Sequence, residues 1–333
     1  MCFFRLKMDC ESDDMQKVLA IVGPTAIGKT DLAIALAQKL NGEIVSGDSM
    51  QVYQEVEVGT AKATKEEQSK VKHYLVDTRS VFDEFSVKDF VDEAQKAIKE
   101  ISTKGKLPIL AGGTGFYVNA LLNQMQLGEK QEENRGTSQK WEDYLARYGP
   151  EKLWQVLNEK DPAAAKKIPV PNSRRTMRAL TVIDRTGKKF SEQQKKIAPR
   201  YDYLIIGLNS DRQEIYRRIN LRVDKMMQKG MLAEAKFIYE NRAKEHQILQ
   251  AIAYKEFFPY FEGKEDIDSC ITQLKTASRR YAKRQLTYFR NQLPVVWFDP
   301  LNDPDCKQKI IAKVEEWKNE QFTRKTTKDC QRS

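Results

Sequence analysis

The chain has 333 residues, 40% hydrophobic and 31% charged, which suits about two packed domains and argues against wholesale disorder. No window reaches the ~18 uninterrupted apolar residues of a membrane span. Acids at Asp9, Glu11, Asp13 and Asp14 follow the short Cys2–Phe4 apolar patch and argue against a secretory or transit peptide. Five scattered cysteines and two histidines, His73 and His246, offer neither a disulfide framework nor a Cys/His zinc site, so a reduced, cytoplasmic protein is expected. The formal net charge of +10 favours an anionic partner.

In chain order, Lys17–Gly23 (KVLAIVG) reads as a buried parallel strand ending in glycine. Asp31–Leu40 follows as a helix with Leu32, Leu36 and Leu40 on one stripe. Glu43–Ser46 and Tyr74–Val76 are short strand candidates, Val87–Thr103 is an amphipathic helix, and Leu107–Ala111 is a strand closed by Gly112-Gly113. Tyr203–Leu208 and Val295–Phe298 add two more strands. Strands alternating with helices predict an α/β fold, a P-loop-type doubly wound parallel sheet with phosphate chemistry at the strand ends. Between Asn119 and Pro199 the pattern turns polar and helical, with a loop near Gly128–Ser138. This predicts a helical insertion domain over 119–198 within a discontinuous core of 1–118 and 199–320. Ser210–Phe261 and Asp268–Asn291 read as C-terminal helices, the chain is polar after Asn302, and 321–333 reads as a frayed tail.

Gly23-Pro24-Thr25-Ala26-Ile27-Gly28-Lys29-Thr30 fits G-x-x-x-x-G-K-[ST] between a buried strand and a helix. Its backbone N–H groups and the helix N-terminus converge on phosphate oxygens. Lys29 adds a full charge, and the Thr30 hydroxyl can hold Mg²⁺. Such a loop binds a di- or triphosphate-like group without saying which. Ser46-Gly47-Asp48-Ser49-Met50-Gln51 follows the second strand. Asp48 reads equally as a general base beside a phosphate ester or as an Asx-turn. Gln51 suits an adenine edge or simply the surface. Thr114, in Gly112-Gly113-Thr114-Gly115, either points into the same crevice or supports a tight turn. Arg222 lies at the rim of an Ile215/Ile219/Val223/Met226 stripe, where it needs an anion unless it only buries its stem. Two acid-free stretches, Pro162–Ile183 and Ser269–Phe298, carry clustered cations; Arg279/Lys283 and Arg280/Arg284 stack at i,i+4, which costs stability unless an anion offsets it.

GPTAIGKT, SGDSMQVYQEVEVGTAKAT and LPILAGGTGFYVNALL resemble, in order and spacing, the tRNA dimethylallyltransferase family. The resemblance continues through Asn172–Glu192, Leu221–Lys236, Leu249–Phe257 and Thr276–Gln292. It implies transfer of a dimethylallyl group from dimethylallyl diphosphate to N6 of adenosine 37 in tRNAs reading U-initial codons. On that reading Asp48 takes the N6 proton, and Gly23, Thr25, Ala26, Gly28, Lys29 and Thr30 hold the diphosphate with Mg²⁺. Thr114 sits near the transferring centre, and Arg222 adds a diphosphate contact. The tRNA anticodon stem-loop is met by Asp48, Ser49, Met50, Gln51 and Thr114, and by Asn172, Ser173, Arg174, Arg175 and Thr176. Arg279, Arg280, Lys283 and Arg284 supply its phosphate footprint. The insertion is expected to clamp the stem-loop, and a monomer without membrane attachment is expected, although the sequence itself leaves the oligomeric state open. Two residues depart from the family pattern: Ile27 replaces a common serine, and Ala253 replaces a common glycine. The absence of finger-like cysteines and histidines suits a bacterial-type member.

Three rivals share parts of this pattern. A P-loop nucleoside kinase explains GKT but not the ordered set or the basic tracts. An RNA-binding NTPase would do without Asp48. An enzyme acting on free AMP or ADP would need no extended cationic surface.

Overall fold

The computed structural model describes residues 15–125, 135–193, 198–244 and 247–320. Six parallel strands form one sheet: β1 (Lys17–Val22), β2 (Gly42–Ser46), β3 (His73–Tyr74), β4 (Leu107–Gly112), β5 (Asp202–Leu208) and β6 (Val296–Phe298), in the order β3-β2-β4-β1-β5-β6. The sequence predicts all six. β3 is shorter than expected because Leu75 and Asp77 take positive φ values of 60° and 55°, which end the ladder. Five of the six β1 residues are buried, as a strand covered on both faces requires.

The helices follow the same logic. α1 (Lys29–Leu40) buries Ala33, Ile34, Leu36, Ala37 and Leu40. α2 (Lys65–Lys70) is a short exposed helix held by a Thr64/Glu67 capping box. α3 (Val87–Thr103) begins at a Ser86/Asp89 capping box and buries Phe90, Val91, Ala94, Ile98 and Ile101. α4 (Gly115–Leu122) follows the glycine turn and is almost wholly buried.

The chain divides into two compact units, the second being Gln124–Ala198. Asn119 to Asn123, expected in the insertion, instead belong to the first unit: α4 carries Asn119 to Leu122, Asn123 caps its end, and Asn119 donates to Tyr288 Oη at 3.1 Å. The second unit holds α5 (Arg135–Lys160, broken at Gly149-Pro150 with Gly149 φ 79°), α6 (Pro162–Ala165) and α7 (Ser173–Thr186). Its own core gathers Trp141, Leu153, Leu157, Ile168, Ala179 and Leu180. The expected loop near Gly128 lies outside the described residues as far as 134, and Arg135 to Ser138 are already helical.

Back in the first unit come α8 (Arg212–Gln228), α9 (Met231–Glu240), α10 (Phe258–Phe261) and α11 (Ile267–Gln292). The described residues between α9 and α10, expected to be helical, form turns and single 3-10 turns. The polar reading after Asn302 also fails, because α12 (Cys306–Asn319) buries Cys306, Ile310, Val314 and Trp317. Those four lie on one helical stripe diluted by lysines and glutamates. Trp317 Nε1 donates to Asp202 Oδ1 at 3.0 Å, and Lys17 Nζ donates to Asp202 Oδ2 at 2.7 Å, which fixes the helix against β1 and β5. The expected tail, 321–333, lies outside the described residues. Among the described residues no helix is long and apolar enough to cross a membrane.

Candidate active site

The turns after β1, β2 and β4 meet at the carboxyl end of the sheet, where a doubly wound fold binds ligands. β4 lies between β1 and β2 and pairs with both. Gly47 N–H donates to Ala111 C=O at 2.8 Å, which draws the β2 turn onto β4. A Cβ at Gly112 would come 2.4 Å from the Gly47 backbone, so glycine is needed there.

The β1 turn has the shape of a phosphate cradle. Gly23, Ala26 and Gly28 all have positive φ, at 150°, 66° and 101°. A Cβ on Gly23 would meet Leu208 C=O at 2.6 Å. Ile27, the departure noted above, is buried at 2% exposure in the core under the loop and leaves the cradle intact. Thr30 lies in the first turn of α1, whose N-terminus has no side-chain cap and faces the loop. Lys29 Nζ donates to Pro24 C=O at 2.8 Å. Burial, and then the neighbouring Arg222 charge, lower the Lys29 pKa to about 7.

A cleft of about 310 Å³ opens beside the cradle, within the size range of small-molecule sites. It brings together Thr25, Asp48, Ser49, Met50, Thr114, Arg222 and Arg284 among the expected residues. Asp48 Oδ1 accepts from Met50 N–H at 3.0 Å, so the Asx-turn forms. No donor meets Oδ2 among the described residues, so the turn and a chemical role coexist. Removal from bulk water raises the Asp48 pKa, against the opposing pull of the Met50 N–H, Lys29 and Arg222. Arg222 lies on α8 beside the buried Ile219 and Val223; desolvation lowers its pKa, and no hydrogen bond or ion pair reaches it among the described residues. A desolvated cation held by no ion pair, with only the Asp48 charge nearby, calls for an anionic ligand. Thr114 Oγ1 accepts from Ser49 N–H at 3.2 Å, linking the β4 and β2 turns.

Other expected residues lie elsewhere. Gln51 turns inward: it accepts from Ser46 Oγ at 2.8 Å and donates to Thr60 and Ala61 C=O at 3.4 Å, outside the cleft lining. Arg279 is committed to Asn220 Oδ1 at 2.7 Å and Thr276 Oγ1 at 2.9 Å. Arg280 and Lys283 are exposed on α11. Arg284 reaches the cleft and lies 5.6 Å from the Tyr281 ring. In the second unit, Asn172 caps α7 by accepting from Arg175 N–H at 3.3 Å; Ser173, Arg174 and Arg175 form its first turn, and Thr176 is buried.

Several cleft features escaped sequence reading. Tyr281 and Ser278 come from α11, and Gln250, Ala251, Ile252 and Ala253 come from the turn region after α9. Ala253, the second departure, has φ 110°, a conformation suited to glycine. Glu234 on α9 accepts from the N–H groups of Glu57, Val58 and Gly59 at 2.7, 2.9 and 2.8 Å, and from Tyr254 Oη at 2.9 Å. This holds the strip whose Gly59 and Thr60 line the cleft. Its sequence spacing gives no hint, because the partners are about 175 residues apart.

Comparison with known proteins places the chain among relatives. The sequence model of the family described as IPP transferase matches residues 51–292. A tRNA dimethylallyltransferase of Lactobacillus acidophilus is 86% identical over 92% of this chain and all of its own length. The tRNA isopentenylpyrophosphate transferase of Bacillus halodurans has a crystal structure 43% identical in sequence, with a TM-score of 0.67, over 91% of this chain and 98% of that one. A eukaryotic dimethylallyltransferase, captured in crystallographic snapshots acting on tRNA, is 31% identical with a TM-score of 0.79, over 93% of this chain and 81% of that one. The family-model match over most of the chain and the 86% identity to a relative covered along its whole length show that the chain belongs to the IPP transferase family.

Proposed function

We propose that the protein is a tRNA dimethylallyltransferase. It moves the dimethylallyl group of dimethylallyl diphosphate to N6 of adenosine 37 in tRNAs reading U-initial codons, as a cytoplasmic monomer. The observation that carries the reading is that Asp48 and Arg222 line one cleft with no ion pair to either among the described residues, beside the cradle that holds Lys29. The exocyclic amine of adenine is a weak nucleophile and needs a base; the departing pyrophosphate needs cations. In the reaction the N6–C1 bond forms, the C1–O bond breaks, Asp48 receives the N6 proton, and diphosphate leaves into the cradle. The raised Asp48 pKa suits proton acceptance better than an ordinary carboxylate would. The backbone of Gly23, Thr25, Ala26 and Gly28 orients the diphosphate with Lys29, Arg222 and Thr30.

The Thr30 hydroxyl would hold Mg²⁺ beside the diphosphate, and no group of three or more His, Cys, Asp or Glu suited to a metal exists among the described residues. When bound, Mg²⁺ supplies Lewis-acid charge to the leaving group. Thr114 and Ser49 line the cleft where an extruded adenine would enter. The cations of α11 and the first turn of α7 provide phosphate contacts along the stem-loop.

The test is label transfer from dimethylallyl diphosphate to tRNA without ATP. Asp48→Asn should lose about 10²–10⁴-fold in rate while still binding pyrophosphate and tRNA. Transfer at the wild-type rate would remove Asp48 from the base role, and ATP consumption on a nucleoside instead would support a kinase.

A further inference from the structure

We propose that Gln285 is a positioning residue that sets the spacing between the phosphate cradle and the glycine turn bearing Thr114. Its side chain is buried, at 5% exposure. Its Oε1 accepts from Thr25 N–H at 3.0 Å, and its Nε2 donates to Gly113 C=O at 3.0 Å. These two bonds fix the amide orientation, because the flipped amide would set donor against donor and acceptor against acceptor. The partners lie 260 and 172 residues away in sequence, in turns that follow the neighbouring strands β1 and β4. Among the described residues no backbone hydrogen bond joins these two turns, so one amide from α11 makes the link.

The local sequence is shaped around that amide. A Cβ on Gly113 would come 2.2 Å from Gln285 Nε2, so glycine is what lets the amide seat. The same hypothetical Cβ would be 3.9 Å from Lys29 Nζ, which places the amide beside the cationic end of the cradle. From Gly113 the path continues through Thr114 to Ser49 N–H at 3.2 Å, next to Asp48. On the other side of the cradle, Arg218 Nε donates to Ala26 C=O at 2.9 Å. A polar chain thus runs from the leaving-group cradle through Gln285 to the turn that carries the carboxylate. Displacing reacting groups by about 1 Å costs on the order of 10²-fold in rate, which gives this single link kinetic weight.

The inference rests on the transfer reaction proposed above, and the experiment separates the two. Gln285→Leu and Gln285→Glu are compared with wild type in single-turnover transfer at saturating dimethylallyl diphosphate and tRNA. tRNA and inorganic pyrophosphate affinities are measured in parallel. Gln285→Leu should lose roughly ten- to a hundredfold in transfer rate, with tRNA affinity within about twofold of wild type. In Gln285→Glu the neutral acid has both a C=O acceptor and an O–H donor, so it restores both bonds when protonated. Its rate relative to wild type should therefore rise as pH falls, and that of Gln285→Leu should not. A wild-type rate in Gln285→Leu, or a Glu-to-wild-type ratio flat with pH, overturns the proposal. If Gln285→Leu fails to fold, the pH ratio of Gln285→Glu alone decides. Wild-type protein that moves no label removes the transfer reading itself, whereas active wild type with indifferent variants removes only the role of Gln285.

Discussion

Replacing Glu234 by alanine removes four hydrogen bonds at once: three backbone N–H donors from Glu57, Val58 and Gly59, and the Tyr254 hydroxyl. A bond to a charged acceptor contributes about 1.5–3 kcal/mol, and a buried polar group left unpaired costs about 1–3 kcal/mol. Glu57 is exposed, so water takes over its N–H. Val58 and Gly59 are only partly exposed, and the Tyr254 ring is wholly buried with its hydroxyl against Gly59. The segment should therefore lose about 3–4 kcal/mol of local stability. At about 1.4 kcal/mol per factor of ten, the Val58 and Gly59 amides should exchange with solvent two to three decades faster. Hydrogen exchange read by mass spectrometry on peptides spanning 55–61 measures this directly. Amides of β1 should keep their protection, because the Glu234 hydrogen bonds reach none of its residues. A second check is Tyr254→Phe combined with Glu234→Ala, whose effects should be strongly non-additive because they share a bond. Unchanged exchange at Val58 and Gly59, or equal acceleration in β1, would refute the assignment of Glu234 as the anchor of this strip.

Four further outcomes are expected. Ala253→Gly should stabilise the protein by about 1 kcal/mol, because relief of about 1–3 kcal/mol of strain at φ 110° exceeds the entropic cost of glycine; an unchanged or lower urea midpoint would contradict the strain. Lys29, with its pKa lowered to about 7, is largely neutral above that pH until an anion restores its charge. Pyrophosphate binding near pH ~8 should therefore take up a proton, read by calorimetry in buffers of different ionisation enthalpy. By the same linkage the folded lysine pKa lies below its unfolded value of 10.5, so ligand-free stability should rise with pH from about 7 to about 10; a flat or falling curve in Lys29-containing protein, matched by Lys29→Met, argues against it. Trp317→Ala should cost about 3–5 kcal/mol, since the indole is 6% exposed and bonded to Asp202; a loss below about 1 kcal/mol would mean that α12 is dispensable.

The parts legible in sequence are those whose signal is local. KVLAIVG and LPILA announce buried strands by composition, and the cradle announces itself by glycine spacing ahead of Lys29. Arg222 was found by its position beside an apolar stripe. What stayed hidden depends on chain segments meeting at long range. Gln285 reads as one more polar residue on a basic helix until Thr25 and Gly113 are brought to it. Glu234 looks like a surface acid on α9, and Gln51 like an adenine reader, until the loop curls inward. The helix α12 was hidden for a different reason: its stripe of Cys306, Ile310, Val314 and Trp317 is so diluted by charge that average polarity masks its periodicity.

The bond between Thr25 and Gln285 has a consequence for biosynthesis. Its two ends are 260 residues apart, a stretch that a ribosome adds in roughly tens of seconds at ordinary elongation speeds. The nascent chain thus carries the cradle sequence long before α11, whose Gln285 ties the cradle to the β4 turn, has emerged. Products of premature termination before α11 lack that tie and the cleft residues Ser278, Tyr281 and Arg284, and should be inert rather than half-active.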